Sequence, residues 1–150
     1  MSKSKSLFGY EKLQIWQRGM ALWERLQRVT SSFPDDEKFG LASQIRRAAC
    51  SVPANISEGY GKGTNKAFAA MVRHSRGSVY ELRTLIEGAR RFDYIGLDEA
   101  SELHGELVEI SKMIDGFLKS LERSQVKEPD AVYESGNVTA PATSFETADF

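Results

Sequence analysis

Cysteine is almost absent from this chain. Cys50 stands alone among 150 residues, so no internal disulfide can form, and that usage suits a reducing compartment. Histidine is nearly as scarce, with only His74 and His104. A carboxylate-bridged di-iron bundle needs Glu-x-x-His pairs on facing helices. Met71 stands three residues before His74 and Ser101 three before His104, so that pattern fails twice. Helical-bundle RNases of the HEPN type carry an arginine four to six residues ahead of a histidine. Here those windows read Leu-Asp-Glu-Ala (97–100) and Ala-Phe-Ala-Ala (67–70). No metal, cofactor or catalytic group is expected.

Long apolar runs are missing too. No stretch approaches the roughly 20 apolar residues that cross a bilayer. MSKSKSLFGY has lysines with no apolar run behind them, unlike a secretory signal. A soluble cytoplasmic protein with no membrane partner is the expectation. Strand alternation between hairpin turns is also lacking.

What remains is helical. Apolar residues recur at helix spacing in four blocks, and 41% hydrophobic content supplies a core for one domain. From Tyr10 to about Ser32, Ile15, Leu22, Leu26 and Val29 form one stripe. Leu13, Trp16, Met20 and Trp23 form a second, which suggests a helix buried on two sides, the second against another subunit. Phe33-Pro34-Asp35-Asp36 breaks the pattern, and Asp36 and Glu37 suit the start of a following helix. The second block, about Phe39–Glu58, carries Leu41, Ile45, Ala48, Val52 and Ile56, with Pro53 inside it. The third, about Asn65–Phe92, steps through Phe68, Val72, Ser75, Val79, Leu82, Ile86 and Ala89 in threes and fours. The fourth, about Asp98–Ser124, steps through Leu103, Leu107, Ile110, Ile114, Phe117 and Leu121. Short connections make neighbours antiparallel. The predicted fold is all-α, an up-down four-helix bundle over residues 10–124. A flexible N-terminus (1–9) and an acidic, disordered tail (125–150) flank it.

The stretch SVPANISEGYGKGT holds three glycines between the second and third blocks. A phosphate loop needs a preceding strand, wider glycine spacing and an adjoining Lys-Ser/Thr pair. Gly63 separates Lys62 from Thr64, and the preceding block is helical. Gly59, Gly61 and Gly63 are therefore read as ending one helix and permitting a tight reversal.

Charge is unevenly spread. Residues 1–95 hold 16 Lys and Arg against 9 Asp and Glu, whereas residues 96–150 hold 4 against 12. Lys66, Arg73, Arg76, Arg83 and Arg90 fall along one side of the third helix, with Arg46, Arg47 and Lys62 added from the second helix and the joint. Such a stripe can track a phosphate backbone. It can equally be a solvated face, with Glu87 paired to Arg83, Arg90 or Arg91.

YEKLQIWQ near the start, GLASQIRRAACSVPANISEGYGKGT, and RHSRGSVYEL together resemble the bacterial four-helix-bundle proteins of the 23S rRNA intervening-sequence (S23) family. The resemblance spans Tyr10 to about Leu121. Its central motif is Gln44, Arg47, Ser51, Pro53, Asn55, Glu58 and Gly59. It implies a homopentameric ring. The accessory variability determinants of diversity-generating retroelements are similar to this fold, and they partner a reverse transcriptase and its template RNA. On this resemblance Asn55 bonds backbone groups freed by Pro53, and Glu58 pairs with Arg47 or with an arginine of a neighbour. Gly77 and Ser78 would admit another backbone. Ala67, His74, Ser75 and Arg83 depart from the family pattern, Ala67 and Arg83 making the third helix more basic. Gly19 weakens the first helix. The expected function is a non-enzymatic, oligomeric RNA-associated protein. The alternative is a protein-interaction scaffold serving a reverse transcriptase. The acidic tail is expected to compete with RNA for the basic stripe.

Overall fold

The computed structural model describes residues 8–125. The expected tail beyond Gln125, and residues 1–7 of the expected flexible N-terminus, lie outside the described residues. Four helices carry the fold: α1 (Gln14–Thr30), α2 (Leu41–Gly61), α3 (Asn65–Arg91) and α4 (Leu97–Gln125). No strand occurs among the described residues. Contacts between helices run in opposite register. Gly19 and Thr30 of α1 meet Val52 and Arg46 of α2, Ser51 and Gly59 of α2 meet Ser78 and Met71 of α3, and Arg73 and Glu87 of α3 meet Glu122 and His104 of α4. Successive helices are therefore antiparallel, as short connections require.

The core follows the predicted seams. Every predicted seam residue of α3 and α4 is buried, as are Ile45, Ala48, Val52 and Ile56 of α2. On α1, Ile15, Leu22 and Leu26 are buried. Leu13, Trp16 and Trp23 of the second stripe are only half-buried and pack on the edge of the core.

Boundaries differ from expectation where local hydrogen bonding decides them. The chain before α1 makes a 3-10 turn over Gly9–Lys12, so Gly9 and Tyr10 precede α1 rather than opening it. A second 3-10 turn, Asp35–Glu37, delays α2 to Leu41. Glu37 then caps α2, its Oε2 accepting the Leu41 amide at 2.7 Å. A carboxylate suits this position because the first helical amides lack partners and carry partial positive charge. Tyr94 Oη donates to Oε1 of the same carboxylate at 3.1 Å, tying the α1–α2 connection to the α3–α4 connection. Burial and that hydrogen bond push the Tyr94 phenol above its ordinary pKa.

The glycines divide the labour differently from the sequence expectation. α2 continues through Gly59 to Gly61, so Gly59 does not end it. Gly59 is instead buried where α2 crosses α3. A methyl group there would lie 2.7 Å from Met71 Cβ and 2.8 Å from the Phe68 ring. Gly63 makes the reversal with φ +83°, and the Thr64 side chain accepts the Ala67 amide to open α3. Gly19 has a matching reason: α1 rests on Val52 and the Pro53 ring, 3.2 and 3.4 Å from where a Cβ would stand. α3 ends on Asp93 in the left-handed region, φ 59°. The Tyr94 amide reaches back to the Ala89 carbonyl at 2.9 Å and the Asp93 amide to Arg90 at 3.0 Å. This is a Schellman closure with aspartate where glycine is usual.

Two polar expectations in the motif change. Asn55 Nδ2 donates to the Ser51 carbonyl at 2.8 Å. The proline deprives Ala49 of its donor, four residues back, so Asn55 does not serve the freed group. Glu58 faces solvent 3.9 Å from Lys62 and does not pair with Arg47. Ser75 is fully buried, and its hydroxyl donates to the Val52 carbonyl at 2.7 Å, one residue before Pro53. The departure at Ser75 thus supplies a cross-helix hydrogen bond. Among the described residues no heavy atom outside its own helix backbone lies within 4 Å of where a Gly77 Cβ would stand, so no second described backbone approaches there.

Candidate nucleic-acid interface

The heptad-like spacing of Lys66, Arg73, Arg76 and Arg83 places them on the edge where α3 meets α4, and that geometry decides their partners. α4 is the acidic helix. Asp115 accepts from Arg76 at 3.0 Å and Glu122 from Arg73 at 3.2 Å. The same helix neutralises α1, with Glu106 gripping Arg18 through two 2.9 Å bonds and Glu102 pairing with Arg25 at 2.8 Å. The Arg18 guanidinium is correspondingly held above its ordinary pKa, chiefly by that hydrogen bond. Among the described residues, four acids of α4 thus stand beside basic side chains of α1 and α3 and offset part of the charge asymmetry along the chain.

Arg90, at the far end of α3, belongs to another cluster. It and Arg91 both donate to Glu87, at 2.8–3.0 Å. Those three bonds, the Arg90 pair first, hold the Glu87 carboxyl down to about 2. His104 Nε2 lies 3.7 Å from the same carboxylate, while its buried Nδ1 has no hydrogen-bond partner among the described residues. Of the partners considered for Glu87, the fold selects Arg90 and Arg91 and leaves Arg83 aside.

Arg83 and Lys66 make no ion pair among the described residues and stand exposed on the α3–α4 edge. Arg83 flanks a groove of about 260 Å³ with Tyr80, Val108 and Lys112. The two arginines of α2 point elsewhere. Arg46 donates to Thr30 Oγ1 at 2.8 Å, bracing the end of α1. Arg47 opens on the crevice between α2 and α3, with Gln44, Ser51 and Glu81. Lys62 lies at the α2–α3 joint beside Glu58. The eight predicted cations therefore do not form one surface. Arg73, Arg76 and Arg83 share an edge, which Lys66 continues by its spacing; Arg90 is taken up by Glu87, which itself faces His104 of α4, and Arg46, Arg47 and Lys62 lie elsewhere.

Among the described residues no group of three His, Cys, Asp or Glu side chains is placed to hold a metal ion. No described helix is long and apolar enough to cross a membrane. Sequence reasoning missed one surface. Phe39, Phe92 and Leu97 are 90%, 61% and 70% exposed at the end where the α1–α2 and α3–α4 connections meet. The signal in the sequence was their place beside residues that interrupt a helix, Phe39 before Gly40, Phe92 before Asp93 and Leu97 after Gly96.

Four antiparallel helices around one apolar core, with a cationic edge on α3, define an all-α four-helix-bundle protein. The family described as 23S rRNA-intervening sequence protein matches residues 11–116, and the chain belongs to that family. A crystal structure from Bacteroides thetaiotaomicron, of a protein with unknown function from the S23 ribosomal protein family, has the same fold. It superposes with a TM-score of 0.65 at 20% identity, over 70% of this chain and 95% of that one. Comparison with curated proteins finds no match.

Proposed function

We propose that this protein is a non-enzymatic, RNA-associated bundle that reads phosphates along the α3–α4 edge and acts as a homopentameric ring. The observation that carries the reading is the row Lys66, Arg73, Arg76 and Arg83. Two of its members have no acidic partner among the described residues, and the other two sit in pairs that remain solvent-accessible. Exposed pairs are worth about 0–1 kcal/mol, so a phosphate can replace Asp115 or Glu122 at little cost. Contacts of this kind position a backbone and carry little sequence information. The half-buried band of Leu13, Trp16 and Trp23 supports an interface between copies, and repetition around a ring multiplies a modest patch by avidity. The test is fluorescence anisotropy on structured RNA at low and near-physiological salt. The Arg76→Glu, Arg83→Glu double variant is expected to lose binding with its helical content and assembly intact. Unchanged affinity would overturn the reading.

A protein-interaction scaffold, serving a reverse transcriptase or another protein, is the second reading. The exposed Phe39, Phe92 and Leu97 favour it, because neighbouring exposed apolar groups mark interaction sites. It predicts a protein that co-purifies after nuclease treatment and is lost with Phe39→Ser and Phe92→Ser.

A further inference from the structure

The groove on the α3–α4 edge is amphipathic. Its floor is Val79 and Leu107, both buried, and its walls are Tyr80 and Val108, 60% and 37% exposed. Arg83 and Lys112 flank it. Lys112 lies 3.6 Å from Glu109, and Arg83 has no acidic partner among the described residues. An open apolar groove with a free guanidinium on its rim suits a short segment that pairs acids with apolar side chains.

This chain contains such a segment close by. Residues 128–134 read EPDAVYE: Glu128, Asp130 and Glu134 with Val132 and Tyr133, and no base. We propose that residues 128–134 occupy the α3–α4 groove, with Val132 and Tyr133 against Tyr80 and Val108 and the acids facing Arg83 and Lys112. The reach is adequate. α4 delivers the chain to Gln125 at the Arg73 end of the edge, since Glu122 pairs with Arg73. Lys112 and Val108 lie 13 and 17 residues before Gln125, about 20 and 26 Å back along the helix at its ordinary rise. Residues 126–133 in fully extended backbone cover about 26–29 Å, which brings Tyr133 level with Val108. Pro129 favours extended backbone over a continued helix. Because Arg83 belongs to the proposed phosphate row, the docked segment competes with RNA there. That consequence rests on the proposed function; the docking itself does not.

The test places the photo-cross-linker p-benzoylphenylalanine at Tyr80 in the full chain, without RNA. A cross-link to the peptide containing residues 128–134 is expected. In a mixture of isotopically heavy and light protein it should join peptides of the same chain, with a yield independent of protein concentration. Glu128→Gln, Asp130→Asn and Glu134→Gln together, or Arg83→Gln alone, should reduce the yield several-fold. No cross-link to 128–134, or heavy–light cross-links at the frequency of random pairing, about half of the total in an equal mixture of co-assembled chains, would overturn the proposal, the latter assigning the groove to a second copy. The triple variant should also bind structured RNA several-fold more tightly at low salt. If neither protein binds RNA while the intrachain cross-link forms, the proposed function falls and the docking stands.

Discussion

Adding a single methyl group at Gly59 and at Gly77 separates two effects that usually travel together. Both glycines lie inside long helices, so Gly→Ala at either gains about 1 kcal/mol of helix propensity. Their surroundings differ. At Gly77 nothing among the described residues, its own helix backbone aside, lies within 4 Å of the new methyl. At Gly59 the methyl meets Met71 Cβ at 2.7 Å, Phe68 Cδ2 at 2.8 Å and the Phe68 carbonyl at 3.2 Å. The Phe68 ring cannot easily yield, because Tyr60 and Phe117 stand against it at 5.9 and 5.3 Å between centroids. Overpacking of this kind costs about 1–3 kcal/mol. Gly77→Ala should therefore stabilise by about 1 kcal/mol. Gly59→Ala should fall between no change and a loss of about 2 kcal/mol once the same gain is subtracted. Denaturant unfolding followed by far-ultraviolet circular dichroism reads both, provided the slopes match. A Gly59→Ala protein as stable as Gly77→Ala would refute the close crossing of α2 and α3. If Gly77→Ala instead breaks assembly, another subunit's backbone approaches α3 there.

Other consequences are open to direct measurement. Ser75→Ala removes the buried bond to the Val52 carbonyl and should cost about 1 kcal/mol; an unchanged unfolding midpoint would show that the bond contributes nothing. The Glu87 carboxyl should titrate near 2 by NMR, and Arg90→Gln with Arg91→Gln should return it toward 4.5. Its folded pKa is lowered, so the stability it confers is present above its ordinary pKa of 4.5 and is lost as pH falls toward about 2. Tyr94 behaves oppositely. Its folded pKa is raised, so its contribution holds below pH 10.0 and is lost above it. That alkaline loss should be smaller in Tyr94→Phe.

The seams were readable because period and burial are the same physical fact. Residues that recur every three or four positions share one face, and on α3 and α4 that face is the core. Glu37 was readable for a similar local reason, since an acid ahead of a helix meets its free amides. The roles of Gly59, Gly19 and Ser75 were not readable, because each depends on what a second helix places opposite. Gly59 looked like a helix stop and is a crossing point. The cationic row was visible in α3, yet its neutralisation by Asp115 and Glu122 required knowing which edge of α4 lies beside it. Arg46 and Arg47 show the same limit. Adjacent in sequence, they point to α1 and to the α2–α3 crevice, about 100° apart around the helix.

The central claim is that phosphates are read by the cations on the α3–α4 edge. The most direct measurement is the slope of log affinity for structured RNA against log salt, for the parent protein, Lys66→Gln, Arg83→Gln, and Arg25→Gln, whose guanidinium lies off that edge, beside Glu102 on the α1–α4 side. Each cation that touches a phosphate should lower the slope by about 0.7–0.9 when neutralised. The account predicts that drop for Lys66→Gln and Arg83→Gln and none for Arg25→Gln. Equal slopes in all four proteins, or no binding at low salt, would contradict it.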